Sequence, residues 1–150
     1  MRLGVDVGTV RVGVARTDPQ GILSIPVDTL RRANDGREIQ RIVDLAEEFQ
    51  AIEIVVGLPR HLKGGEGVSA KEARRYARKI ASRLPYTRVC LVDERLTSQQ
   101  AHERLRACGR SEKDHRSVID QVAAQIILEQ ALEIERCSGK LPGSTIDLQE

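Results

Sequence analysis

Tryptophan is absent from this chain, and Phe49, Tyr76 and Tyr86 are its only aromatic residues. Proteins that read single strands by their bases stack them on aromatic platforms. Three rings cannot build one, so any nucleic-acid partner would be held through its backbone and shape. Cysteine is nearly as scarce: Cys90, Cys108 and Cys137 are odd in number, widely spaced and without a CxxC pair. They give no disulfide framework, and a reducing, cytoplasmic setting follows. Cys90 falls in a strand pattern and reads as a small core residue. His61, His102 and His115 lack paired ligand spacing and offer no metal site of their own. No run is apolar and long enough to cross a bilayer, and Arg2 leads straight into a strand pattern, so neither a membrane span nor a secretory leader is expected. The GxxxxGK[ST] phosphate loop and the GxSxG nucleophile elbow are both missing.

What is present describes one ordinary globular domain. The 150 residues are 40% hydrophobic and 31% charged, long enough for roughly 70% of the unfolded surface to be buried. Residues 1–137 are expected to fold, and 138–150 to form a disordered tail. The net charge of +2 conceals an uneven distribution. Between Arg60 and Arg88 nine Lys or Arg face two acids, Glu66 and Glu72, which leaves that window at +7 and the remainder at −5. A basic face on a near-neutral chain fits a polyanionic partner, although a merely solvated cationic face would leave the same pattern.

Hydrophobic periodicity places the elements. Leu3, Val5 and Val7 alternate with Gly4, Asp6 and Gly8 in a strand; Val12 and Val14 mark a second, and residues 21–27 a third that ends near Pro26. Short turns between them imply antiparallel neighbours. A helix follows, with Asp35 and Glu38 as its expected capping box and Ile39, Ile42, Val43 and Ala46 on its apolar face. Residues 52–59 and 87–94 read as buried parallel strands. Between them lie a Gly-rich loop, "RHLKGGEG", and a helix with Ser69 and Glu72 as a second expected capping box. A short helix over 98–108 and a last helix over 117–136 complete the pattern. The sum is an α/β fold: a mixed five-stranded sheet, three antiparallel-neighbour strands and then two parallel, flanked by helices.

Three acids stand where these elements should be apolar. Asp6 interrupts the first strand, Glu94 closes the strand "VCLVDE", and Asp120 sits in the last helix on the side of Ala123 and Ala124. Singly, each has a bland reading as an edge residue, a loop residue or an acid favoured by the helix dipole. Together, like charges at close range need a counter-ion. Carboxylates with water are the ligand set that Mg²⁺ or Mn²⁺ prefers, and two such ions roughly 4 Å apart serve phosphodiester cleavage.

"DVGTVRVGVA", "VVGLP", "DERLTS" and "IDQVAAQIIL", in this order across residues 6–128, resemble the YqgF (RuvX) family of bacterial RNase H-like nucleases. The resemblance implies an RNase H-like fold, a metal-binding catalytic triad of Asp6, Glu94 and Asp120, and a two-ion Mg²⁺ or Mn²⁺ site. It implies action on structured RNA in 5′-end maturation of precursor 16S rRNA, or on branched DNA. Arg11 matches the Arg of the family's first motif and is expected to meet substrate phosphate or the carboxylates. Arg60, Lys63, Lys71, Arg74, Arg75 and Arg78 form the expected nucleic-acid-docking set. The loop after "VVGLP" is more basic here than the family's Asn-containing turn. Glu53, on the central strand, is a lesser candidate for the site.

Two other classes compete. "DVGT" also resembles the phosphate-binding opening of sugar kinases and Hsp70-like ATPases, which need two lobes around the nucleotide where this length supplies one. A non-catalytic RNA-binding assembly factor would keep the fold, but intact Asp6, Glu94 and Asp120 argue for catalysis.

Overall fold

Residues 2–7 alternate large apolar side chains with small or acidic ones, so as a strand they present two unlike faces. A computed structural model, which describes residues 1–59, 67–93 and 112–146 (side chains from 118 onward in the last stretch), shows how those faces are used. Strands β1 (Arg2–Val7), β2 (Arg11–Thr17), β3 (Ser24–Arg31), β4 (Glu53–Leu58), β5 (Arg88–Asp93) and β6 (Ser144–Thr145) form one sheet in the order β3-β2-β1-β4-β5-β6. β2 runs antiparallel to both β1 and β3, while β1, β4 and β5 run parallel.

Period-two alternation divides the core. Leu3, Val5, Val12, Val14, Ile54 and Val56 face α1 (Arg37–Glu48) and α2 (Val68–Arg83). Ala15, Val55, Cys90 and Val92 face α3 (Glu112–Ser138), which meets them with Ala124, Ile127, Leu128 and Ala131. With helices on both faces, β4 has no solvent side and is buried throughout, as its continuous apolar run requires. β3 is an edge strand, which accommodates Pro26 at a register shift opposite Val14 and Ala15.

Several expectations differ from the structure. The sheet has six strands, not five, because part of the tail expected to be disordered pairs with β5. Ile146 N–H donates to the Val89 carbonyl at 2.8 Å, and Arg88 Nε to Thr145 Oγ1 at 2.9 Å. A two-residue strand carries no periodicity, so its pairing was invisible in sequence. Neither capping box forms: Gly36 and Gly67 occupy the cap positions of α1 and α2, without side-chain cap bonds. The glutamates are drawn into tertiary contacts instead. Glu38 accepts from Ala33 N–H and the Tyr76 hydroxyl, and Glu72 from Arg32 and Arg75. The last helix begins at Glu112, so Asp120 lies two turns inside it, beyond the reach of a helix-terminus effect. The expected helix over 98–108 and most of the Gly-rich loop lie outside the described residues.

Cys90 is fully buried, and burial, followed by the nearby Glu53 charge, pushes its thiol up to about 12. Cys137 is exposed. At pH 8 an alkylating reagent should therefore label Cys137 in the native protein and reach Cys90 only after denaturation. Peptide-resolved mass spectrometry reads this directly, and native labelling of Cys90 would contradict the buried strand assignment.

Candidate active site

The site grows from a contact between backbones. Gly4 and Asp6 share the face of β1 that looks toward α3, and in β2 their partners are Ala15 and Gly13. A Cβ on Gly4 would lie 2.7 Å from the Ala124 carbonyl oxygen, and one on Gly13 would overlap that of Asp120. Only glycine permits α3 to approach this closely. The approach carries Asp120 to the strand. Opposed Cβ positions in an antiparallel pair are roughly 5 Å apart, and a Cβ on Gly13 would stand 2.8 Å from that of Asp120. The Asp6 and Asp120 carboxylates thus spring from points no more than about 8 Å apart. Asp6 is half-buried near the C-terminal end of β1.

Arg11, at the start of β2, donates from Nε to Asp120 Oδ2 at 2.9 Å. The ion pair is partly exposed, with Arg11 at 42% and Asp120 at 15%, so it orients Asp120 more than it stabilises the fold. Glu94 directly follows Asp93, the last residue of β5, and lies outside the described residues, as do Arg60 and Lys63. Among the described residues no three His, Cys, Asp or Glu side chains cluster as a metal site. Lys71, Arg75 and Arg78 are exposed on α2 and Arg74 is partly buried there. They stand on the sheet face opposite α3, and only the first turns of α2 come near the end of β1. There Val68, Ser69 and Glu72 share a cleft of about 240 Å³ with Val7, Gly8 and Thr9.

Glu53 does not join the site. It opens β4, whereas Asp6 nears the end of β1, and the two parallel strands pair Glu53 with Arg2. That places it at the opposite end of the strands, roughly four residues or 13 Å along the strand direction. There it accepts from Arg88 Nη1 at 2.6 Å and forms an ion pair with Arg2 Nε at 3.4 Å, a contact without hydrogen-bond geometry. Both partners come from its own register row, Arg2–Glu53–Arg88. Sequence reading missed this because register, which joins residues 2, 53 and 88, has no local signature.

It also missed Arg32. Just beyond β3, Arg32 donates to the Gly8 carbonyl at 3.1 Å and to Glu72 at 2.6 Å, and its guanidinium covers the Tyr76 ring at 5.1 Å. Its backbone N–H also bonds the Val10 carbonyl. Arg32 therefore braces the turn between Asp6 and Arg11 against α2. Guanidinium contact holds the Glu72 carboxyl below its ordinary value of 4.5.

Two solved structures share this architecture over nearly their whole length. Thermus thermophilus RuvC in complex with a Holliday junction substrate superposes with a TM-score of 0.60 at 12% identity, covering 96% of this chain and 98% of that one. A second Thermus thermophilus RuvC structure gives 0.55 at 15% identity, covering 94% and 98%. The fold is thus RNase H-like, with two of its carboxylates assembled across β1 and α3. Residues 1–134 match the RuvX family, described as Holliday junction resolvase. Relatives named "Putative pre-16S rRNA nuclease" are 50% identical in Streptomyces avermitilis, over 98% of this chain and 94% of the relative, and 47% identical in Mycobacteroides abscessus, over 92% and 84%. This chain belongs to the RuvX family.

Two substitutions test the construction of the site. Gly13→Ala should lower the stability read from a denaturant midpoint by about 1–3 kcal/mol, because α3 must back away from β2; an unchanged midpoint would refute the backbone contact. Arg88→Ala should cost about 1.5–3 kcal/mol by removing the hydrogen-bonded guanidinium and leaving Glu53 with Arg2 alone in its register row, measured in the same way.

Proposed function

We propose that this chain is a metal-dependent endonuclease that hydrolyses phosphodiester bonds in the 5′-end maturation of precursor 16S rRNA. The observation that carries the reading is the approach of Asp120 to Asp6 across Gly13, in a chain whose family and named relatives are nucleases. Two carboxylates at this spacing, on separate rigid elements, form a hard oxygen donor set suited to Mg²⁺ or Mn²⁺. Asp6 and Asp120 would hold the metal with Glu94 as the third carboxylate, and two bound ions would supply Lewis acidity at the scissile phosphate.

The chain's own residues supply position and charge. β1 fixes Asp6 through its ladder with β2, and Arg11 fixes the rotamer of Asp120. Arg11 uses one guanidinium donor on that carboxylate, and its remaining donors suit a phosphate oxygen. Cationic side chains of α2 supply contacts to a nucleic-acid backbone that carry no base preference. Branched DNA is the second reading. It is favoured by the family's description and by the junction bound to the RuvC structure of the same fold.

The test incubates the protein, Asp6→Asn and Asp120→Asn with a precursor 16S rRNA fragment and a four-way DNA junction, in Mg²⁺, Mn²⁺ or EDTA. Wild-type cleavage of the RNA should disappear in EDTA and fall at least a hundredfold in either variant. Junction cleavage alone would establish the second reading, and cleavage indifferent to EDTA or to both substitutions would refute the metal-dependent site.

A further inference from the structure

α2 carries its cations on two different flanks. Lys71, Arg74 and Arg78 follow one helical stripe; Glu72, Arg75, Tyr76 and Lys79 follow the other. The second stripe forms one wall of a cavity of about 370 Å³, whose opposite wall is Arg32, Asn34 and the start of α1. This cavity and the 240 Å³ cleft at the end of β1 share Thr9, Arg32 and Glu72. The two adjoin at the Arg32–Glu72 ion pair, so the groove along α2 opens beside the turn that follows Asp6.

Its chemistry is cationic and organised from behind. The Glu38 carboxylate is buried and turned toward the Ala33 N–H and the Tyr76 hydroxyl. Glu72 holds one guanidinium on each oxygen, Arg32 at 2.6 Å and Arg75 at 2.7 Å. Its charge is thereby committed to positioning two arginines, whose other donors can serve a ligand. Arg75 and Lys79 stand exposed at the rim, one helical turn apart. Among the described residues the one aromatic ring lining the groove is unavailable for stacking: Tyr76 is 1% exposed and Arg32 covers its face. A ligand can be recognised here by negative charge, not by its bases.

We propose that this groove is a phosphate subsite for the substrate RNA, in which Arg75 and Lys79, with Arg32 behind them, hold the backbone at nucleotides flanking the cleavage point. The assignment rests on the nuclease reading above and divides the basic helix into a working flank and a peripheral one. Lys79 and Arg32, neither of them in the expected docking set, gain a role. Lys71 and Arg78 lose most of theirs.

The test measures fluorescence anisotropy of a labelled precursor 16S rRNA stem–loop and a labelled four-way DNA junction in EDTA, so that binding is separated from cleavage. The proteins are wild type, R75Q/K79Q and K71Q/R78Q, each removing two charges, with circular dichroism melting to verify folding. R75Q/K79Q should weaken RNA binding at least tenfold and flatten the slope of log Kd against log salt by about 1.5, the share of two phosphate contacts. K71Q/R78Q should weaken it no more than threefold. Equal losses in the two double variants, or none in R75Q/K79Q, would overturn the groove while leaving the nuclease intact. If the wild type binds the junction but not the RNA, the RNA subsite is refuted. If it binds neither probe, the nuclease reading fails and the subsite with it.

Discussion

Helix α3 rests on β1 and β2 at backbone contact distance because positions 4 and 13 carry no Cβ. Close-packed interiors do not deform by an ångström without cost, so this spacing is a fixed dimension of the molecule. Asp120 reaches the sheet because of it, Arg11 can span to Asp120 because of it, and Asp6 shares its face of the sheet with a second acid. The alanines of α3 serve the same end. Ala124 and Ala131 pack where a larger residue would lift the helix away from Ala15 and Cys90.

The two ends of the central strands use acids in opposite ways. At one end, Glu53 is buried among guanidinium groups from its own register row and holds three parallel strands together. At the other, Asp6 and Asp120 are drawn together across β1 and α3, with the partly exposed Arg11 paired to Asp120. A buried acid with its cations in place is structural. Two acids brought together across separate elements concentrate negative charge at one place, which sets the site apart from the Glu53 row.

A third polar arrangement joins the halves of the protein. Glu38 and Glu72 have the sequence positions of helix caps, and local rules would assign each to a backbone N–H of its own helix. Tertiary charge prevails because Arg32 arrives between α1 and α2 from the end of β3, and Tyr76 brings a buried hydroxyl to Glu38. A carboxylate held by guanidinium groups, as Glu72 is, or by donors out of water, as Glu38 is, is bound more strongly than one on an exposed cap N–H. The result ties the turn after Asp6 to α2 and lines the groove that leads away from it.

Much of the fold was legible because periodicity is local. The alternation of residues 2–7, the apolar run of 53–58 and the helical stripe from Ile39 to Ala46 each name an element, and short turns separate antiparallel from parallel pairing. Asp6 and Asp120 stood out because an acid in an apolar pattern is costly wherever the chain goes. What sequence could not supply was adjacency. Register decided that Glu53 belongs with Arg2 and Arg88, at the far end of the strands from Asp6. Only the folded chain brought Arg32 to Glu72, divided the cations of α2 between two flanks, and recruited Ser144 and Thr145 as a sixth strand. The sequence by itself determined the elements and the unusual acids, since both follow from neighbours within a few residues. Tertiary structure alone decided which charges meet, because a salt bridge depends on distances in space that the order of residues does not contain.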